Sequence, residues 1–467
     1  MRAIQRVSSI ETIARLHLFP TPAIFLFRKF RVGNLQGIKG RLKRFLIMSS
    51  GERGNDTTRA ERFDRLRTCI LLFGTIFFPC VSAADVVTEW NEKAGACVLE
   101  AKLYTVAGTR VMAIVHTAMF DAINSIEGHY TTYKFKVSAP AGSSPEAAGV
   151  AAAHATLVGL IPEQKAALDA AYAASLARVP DGPGKTSGIA VGEEVATKVL
   201  AWRAADGVDA ANTYRPVTTP GTYITTTLPI GTQWASMTPW MVEHASQFHP
   251  APPPALSSAE WAADYNEVKE IGGKKSARRT TEQTEIGHFW AMGGPQAIDP
   301  IPRQLAAAPG RSLSQNARLF ALVEMAVEDS HIALYEAKYS FNFWRPITAI
   351  RNGDIDGNEA TTLDPDWEPL IDTPLHPEYP CGHCITSSAV RAVLEAEFGT
   401  GPHPLMMTSS TAPGIVHTWG SIAEYAEEVS AARIYGGVHY RNSTVVGKAM
   451  GKKIGELAVR NFLKPVH

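Results

Sequence analysis

Along most of the chain, apolar residues return every three to four positions far more often than they alternate. Over residues 108–126 they fall at Val111, Val115, Ala118, Ala122 and Ile126, the spacing that lines one face of a helix. Residues 145–178 are alanine-rich, a composition that favours helix, and Pro162 suits the first position of a helix after a break. A further helix is expected over Gly188–Ala205, with Ser187 as its cap. Ser257 with Glu260, and Ser312 with Gln315, have the spacing of capping boxes and predict helices over 258–271 and 313–341. Others are expected at about 382–398, 420–434 and 441–462. Between 207 and 255 threonine and proline dominate and the periodicity is lost, which predicts a long ordered crossover ending at Pro252-Pro253-Pro254. Strand signals are few, so the body reads as mostly helix, and no internal repeat stands out.

Charge divides the chain unevenly. Of 45 basic and 45 acidic residues, 15 and 5 lie in residues 1–84, leaving 30 and 40 in the remainder. An acidic body argues against nucleic acid as a partner. The head reads as an N-terminal extension with a signal peptide. Arg59, Arg62, Arg65 and Arg67 precede the apolar run Cys69–Phe78, and Val81-Ser82-Ala83 offers a small-residue cleavage pattern. Cleavage near Ala83 predicts a secreted or periplasmic protein, with translation starting at Met1 or Met48. No other stretch reads as a membrane span, so none is expected in the mature chain. The organisation that follows is 1–84 as leader, 85–255 as a helical region with the crossover, and 256–467 as a helical bundle. Of five cysteines, Cys69 and Cys80 go with the leader; Cys97, Cys381 and Cys384 remain, the last two close enough to pair.

Three short stretches of the C-terminal third concentrate the chemistry. KYSFNFWRP supplies Lys338 and Arg345, YPCGH supplies Cys381, Gly382 and His383, and AARIYGGVH supplies Arg433 and His439. One ammonium, two guanidiniums, two imidazoles and a glycine that lets N–H groups approach closely suit a tetrahedral oxyanion. Lys338 and Arg345 are seven apart, about two helical turns, which predicts a shared face with Pro346 breaking the helix nearby. Gly436-Gly437 is expected to interrupt the next helix and turn His439 back toward Arg433.

The three blocks, in order and spacing, resemble the vanadium-dependent haloperoxidase and type 2 phosphatidic-acid phosphatase superfamily. TRVMAIVHTAMFDAINSIEGHY, SLSQNARLFALVEMAVEDSHIALYEAKY and TPLHPEYPCGH resemble its bacterial soluble haloperoxidase-like branch, over roughly residues 85–465. Two positions depart. Ala432 stands where the family has serine, and Cys381 replaces the serine that hydrogen-bonds the oxyanion. The resemblance implies an all-α fold of packed helical bundles with the site in the C-terminal one. It implies vanadate bound by Lys338, Arg345, Cys381, Gly382 and Arg433, with His439 axial to vanadium and His383 as the acid–base group. Hydrogen peroxide and halide would be the substrates. His376 stands where bromoperoxidases typically have histidine and chloroperoxidases phenylalanine, which favours bromide or iodide.

Rival readings use the same residues. A phosphatase would hydrolyse a phosphate ester through a phosphohistidine and need no vanadate. A non-catalytic oxyanion-binding or redox-sensing protein would have a Cys381–Cys384 bridge blocking the site. Cys381-Gly382-His383-Cys384 also has the form of a disulfide-isomerase motif, but no strand precedes it. Asp354, Asp356 and Asn358 start like a calcium loop, yet Pro365 stands where its closing glutamate belongs, so a polar turn is expected. His116 and Asp121 lack metal-pair spacing and read as structural.

Overall fold

A 29-residue helix, Leu313–Phe341, joins the two halves of the molecule. It starts where the capping box predicts, with both reciprocal hydrogen bonds of Ser312 and Gln315 present. It is buried on all sides, as a central helix must be. The computed structural model describes residues 85–466, and the leader, its cleavage site, Cys69 and Cys80 lie outside these described residues.

In chain order the helices are α1 (Val86–Glu100), α2 (Thr105–Glu127), α3 (Pro145–Leu160), α4 (Lys165–Leu176), α5 (Pro183–Arg203), α6 (Ala259–Gly272) and α7 (Thr281–Phe289). Then come α8 (Pro295–Ile298), α9 (Pro300–Ala306), α10 (Leu313–Phe341), α11 (Pro346–Arg351), α12 (Gly382–Phe398), α13 (Ile422–Tyr435) and α14 (Arg441–Asn461). The only sheet among the described residues is an antiparallel hairpin, β1 (Leu405–Ser409) with β2 (Ala412–Trp419). One bundle packs α1 to α5 around α2, another packs α12 to α14, and α10 touches both α2 and α12. The fold is therefore all-α helical bundles, as expected, and one hydrophobic core runs from Val86 to Leu463.

Several local expectations shift. Helix α5 begins at Pro183, five residues before Gly188, because proline is pre-set for a first helical position. Ser187 lies inside it, bonded to the Gly184 carbonyl. Ser258, not Ser257, caps α6 through the Trp261 N–H, and Glu260 instead accepts from Asn442. Pro162 opens a short 3-10 turn before α4. Among the described residues one helix, α2, is long and apolar enough to cross a membrane. The sequence pattern predicts no span there. Nearly all of α2 is buried in its bundle, and the centre of a bundle demands an apolar surface all round.

Both bundles use glycine to bring two helices into backbone contact. On α14, Gly447, Gly451 and Gly455 lie four apart on one face. A Cβ on them would stand 2.7, 2.0 and 2.5 Å from the carbonyl oxygens of Cys381, Ile385 and Ala389 on α12. On α5, Gly188 and Gly192 meet the Ser144 and Ala148 carbonyls of the α3 side at 2.3 Å in the same way. The α14 contact matters most, because the start of α12 carries Gly382 and His383. Gly451→Val should therefore destabilise the protein by about 1–3 kcal/mol through overpacking. Denaturant unfolding of the two proteins checks this, and an unchanged midpoint would contradict the close approach.

Candidate functional site

Each motif block places its side chains at a helix end. Lys338 sits in the last turn of α10, which stops at Asn342 in the left-handed conformation. Arg345 is the N-cap of α11, one residue before Pro346. The two are thus not on one face of one helix, as the seven-residue spacing suggested. The turn between them brings them together instead. Gly382 and His383 open α12, whose N-cap Cys381 makes no side-chain capping bond, leaving its first N–H groups for a ligand. Arg433 is in the last turn of α13, and Gly437, at φ 74°, reverses the chain so that His439 returns to it.

These residues meet at a cavity of about 370 Å³ lined by His376, Gly382, His383, Arg433 and His439, with His331, Leu334 and Tyr335 of α10 on one wall. Lys338, Arg345 and Arg433 are at most 2 % exposed. Arg345 is the hub. Its Nε donates to the His376 carbonyl at 2.9 Å and its Nη1 to the Val438 carbonyl at 2.8 Å. Its Nη2 donates to His376 Nδ1 at 2.9 Å, and Nη1 reaches His439 Nε2 at 3.3 Å. Arg433 donates one Nη1 bond to the Trp290 carbonyl at 2.7 Å, and its buried Nε–H has no protein acceptor. Lys338 donates to the carbonyls of Pro377, Glu378 and Pro380 at 2.8, 2.7 and 2.6 Å. An ammonium has three N–H donors, so all are occupied. Lys338 therefore acts on an anion through its charge and by folding residues 377–380, rather than as the direct donor expected.

Glu378, which none of the motif chemistry singles out, is fully buried beside these cations. Its Oε1 accepts from His439 Nδ1 at 2.7 Å and from the Tyr440 N–H at 3.0 Å. A carboxylate accepts and a guanidinium donates. Glu378 on one side and Arg345 on the other therefore fix His439 with hydrogen on Nδ1 and a lone pair on Nε2. His383 Nε2 donates to the Met292 carbonyl at 2.9 Å, which leaves its Nδ1 as the proton acceptor.

Burial and mutual repulsion set the protonation of the cluster. Burial, helped by Arg345, pushes the Arg433 guanidinium down to about 9. Burial, Arg345 and the other cations hold the Lys338 ammonium and the His439 imidazole well below their ordinary values. Burial and then Lys338 and Arg345 do the same to His376. Burial and Arg433 push His383 down to about 3. Burial raises Glu378 to about 7 against the pull of Lys338 and Arg345. Three cations face one carboxylate, and the excess positive charge calls for an anion. The orphaned Arg433 N–H, the open start of α12 and the His439 lone pair fit a tetrahedral oxyanion such as vanadate or phosphate.

Cys381 does not supply a thiol. It is disulfide-bonded to Cys384, and both are buried. The bridge packs beside Gly447 of α14 and does not line the cavity, so it does not block the site as the redox-sensing reading required. Asp356 accepts from Trp261 Nε1, Thr361 and the Asn358 N–H, a polar turn as expected. His116 pairs with Asn91, and Asp121 receives the N–H groups of residues 133–135, both structural.

A second core cluster fixes the geometry. Trp344, Tyr379 and Tyr440, the chain neighbours of Arg345, Glu378 and His439, are all buried in it with Trp261. Trp261 lies 5.8 Å from Trp344 and 5.0 Å from Tyr440, ring to ring. Arg345, Glu378 and His439 are thus each flanked by an aromatic anchor.

Orthovanadate at about a hundred times its dissociation constant should stabilise the protein by about 2.7 kcal/mol, read as a higher melting temperature. Arg433→Met should abolish that gain while leaving the anion-free protein at least as stable, because it removes an uncompensated buried charge. Lys338→Met should destabilise the anion-free protein, because three buried carbonyls lose their donor. Equal behaviour of the two variants would contradict these separate roles.

Residues 318–467 match the family model for the VCPO second helical-bundle domain. Vanadium chloroperoxidase from Curvularia inaequalis is 30% identical over 174 residues, covering 30% of this chain and 28% of the relative, so the chain spans under a third of that protein. Among solved structures, a bacterial vanadium-dependent iodoperoxidase is similar with a TM-score of 0.69 at 21% identity, over 81% of this chain and 97% of that one. An apo-type bacterial vanadium-dependent chloroperoxidase is similar with a TM-score of 0.64 at 17% identity, over 76% and 92%. The C-terminal part of this chain thus matches the second helical-bundle domain of the vanadium chloroperoxidase family model, and the described chain has the fold of the bacterial vanadium-dependent haloperoxidases.

Proposed function

We propose that this protein is a vanadium-dependent haloperoxidase that oxidises bromide or iodide with hydrogen peroxide. The observation that carries this reading is the cluster of three buried cations around a histidine whose Nε2 lone pair is held ready by Glu378. Vanadate would be held by Arg433, the N–H groups at Gly382, the charges of Lys338 and Arg345, and His439 Nε2. When bound, it makes hydrogen peroxide electrophilic enough for a halide to attack.

The protein's own groups do the rest. Glu378 keeps the proton of His439 on Nδ1, so that Nε2 remains a ligand. Arg345 positions His376 and His439 together. Arg433 directs open N–H donors at negative charge in a site whose low polarity strengthens them. His383 Nδ1 accepts a proton from peroxide as it binds. His376 faces the cavity beside the Tyr335 ring, 5.4 Å away, and takes the halide side. A buried disulfide persists in oxidising compartments, which supports the secreted or periplasmic location.

A phosphomonoesterase is the second reading, favoured by the same carboxylate-fixed His439, whose Nε2 is also placed to attack phosphorus. Paired assays separate the two: halide oxidation with vanadate and peroxide, and hydrolysis of a chromogenic phosphate ester without them. Halide oxidation that depends on vanadate is expected, and ester hydrolysis alone would favour the rival. His439→Ala should abolish either activity; near wild-type turnover would sink both mechanisms. His376→Phe should shift the preference among halides toward chloride, as seen in the ratio of kcat/KM for chloride and bromide. An unchanged ratio would remove His376 from the halide side.

A further inference from the structure

Four imidazoles border the cavity, and three of them belong to the cation cluster. The fourth, His331, lies on α10 two turns before Lys338 and carries no role in the family pattern. Its Nδ1 is 3.0 Å from Thr109 Oγ1 of α2, and that hydroxyl is 2.9 Å from Oε2 of Glu328. Glu328 is fully buried, and its other oxygen accepts from Trp234 Nε1 at 2.7 Å. A hydroxyl has one proton, and a carboxylate draws it more strongly than a neutral acceptor. Thr109 therefore donates to Glu328 and accepts from His331 Nδ1–H. His331 Nε2 is left as the unprotonated nitrogen on the cavity wall. This is a base oriented through a hydroxyl by a buried carboxylate.

We propose that His331 is the proton carrier of this site: it takes a proton on Nε2 and delivers it to the departing oxygen of hydrogen peroxide. The inference rests on the halide-oxidising reading above. In that reaction the O–O bond of peroxide breaks and an O–halogen bond forms. Halide loses two electrons, peroxide gains them, and one proton from outside the reactants leaves with the departing oxygen as water. Each turnover thus consumes a proton. In the anion-free cluster, burial and the cations hold His376, His383 and His439 below the ordinary imidazole range, so each favours its neutral form there. His331 faces Glu328 of α10 and His383 of α12; Tyr335 of α10 and Tyr104 just before α2 bear on Glu328, and Arg433 of α13 lines the same cavity. Among these, only Glu328 carries a carboxyl group. It stands 3.8 Å from His331 Nδ1, placed to stabilise an imidazolium.

The test uses the purified full chain loaded with orthovanadate. Oxidation of iodide to triiodide is followed against pH, with no organic acceptor present. His331→Gln should lose the acid-side rise in rate and fall about a hundredfold below wild type on that side. Thr109→Val, which breaks the relay but keeps the imidazole, should move that rise to lower pH, and it serves where His331→Gln does not fold. Calorimetry of orthovanadate binding in two buffers of different ionisation heat counts protons taken up, and His331→Gln should take up fewer than wild type. If wild type oxidises no halide, the functional reading fails, and the proton count alone decides about His331. Variants that keep both the wild-type pH profile and the wild-type proton count would overturn the proposal.

Discussion

Three buried cations held against a single buried carboxylate are the constraint on which this structure depends. Lys338, Arg345 and Arg433 would repel one another in a low-polarity interior if each were left bare. Each is handled differently. Lys338 is quieted by three backbone carbonyls, Arg345 by two carbonyls and two imidazoles, and Glu378 offsets part of their charge. Arg433 alone keeps a buried N–H without a protein acceptor. The unmet demand is therefore concentrated at one point, beside the start of α12 and the His439 lone pair.

Holding that arrangement takes most of the C-terminal bundle. Helix α14 lies against α12 along its glycine face, and so sets where Gly382 and His383 stand. The aromatic cluster behind the cavity anchors the chain neighbours of Arg345, Glu378 and His439. The long helix α10 supplies Lys338 at its end and His331, Leu334 and Tyr335 along the wall, and ties the site to the N-terminal bundle through Thr109 and Glu328. Packing that looks structural thus bears directly on the chemistry, because a shift of an ångström at any of these supports would misalign the donors.

Much of this was legible in the sequence where local rules act alone. The capping box at Ser312, the apolar period of α2 and the glycine pair after Arg433 foretold their elements because neighbours in the chain decide them. The motif blocks foretold which cations and imidazoles gather. Glu378 was not legible, since its role comes from contact with His439 across the fold, 61 residues away in the chain. His331 carried a faint signal, seven residues before Lys338 and so on the same helical face. Its partners Thr109 and Glu328 are brought to it only by the packing of α2 on α10. The contacts of Lys338 are not legible in the sequence, because spacing gives direction but not what the ammonium meets. The hairpin of β1 and β2 escaped for the converse reason, its strands being short and only half buried.

The central claim is that the charge imbalance defines one oxyanion site anchored by His439. A crystal structure of the protein soaked in orthovanadate tests it most directly. The account predicts vanadium density joined to His439 Nε2, with its oxygens meeting Arg433 and the Gly382 N–H, and with Glu378 still on His439 Nδ1. Density away from His439, or an unliganded cavity at concentrations that saturate binding in solution, would contradict it.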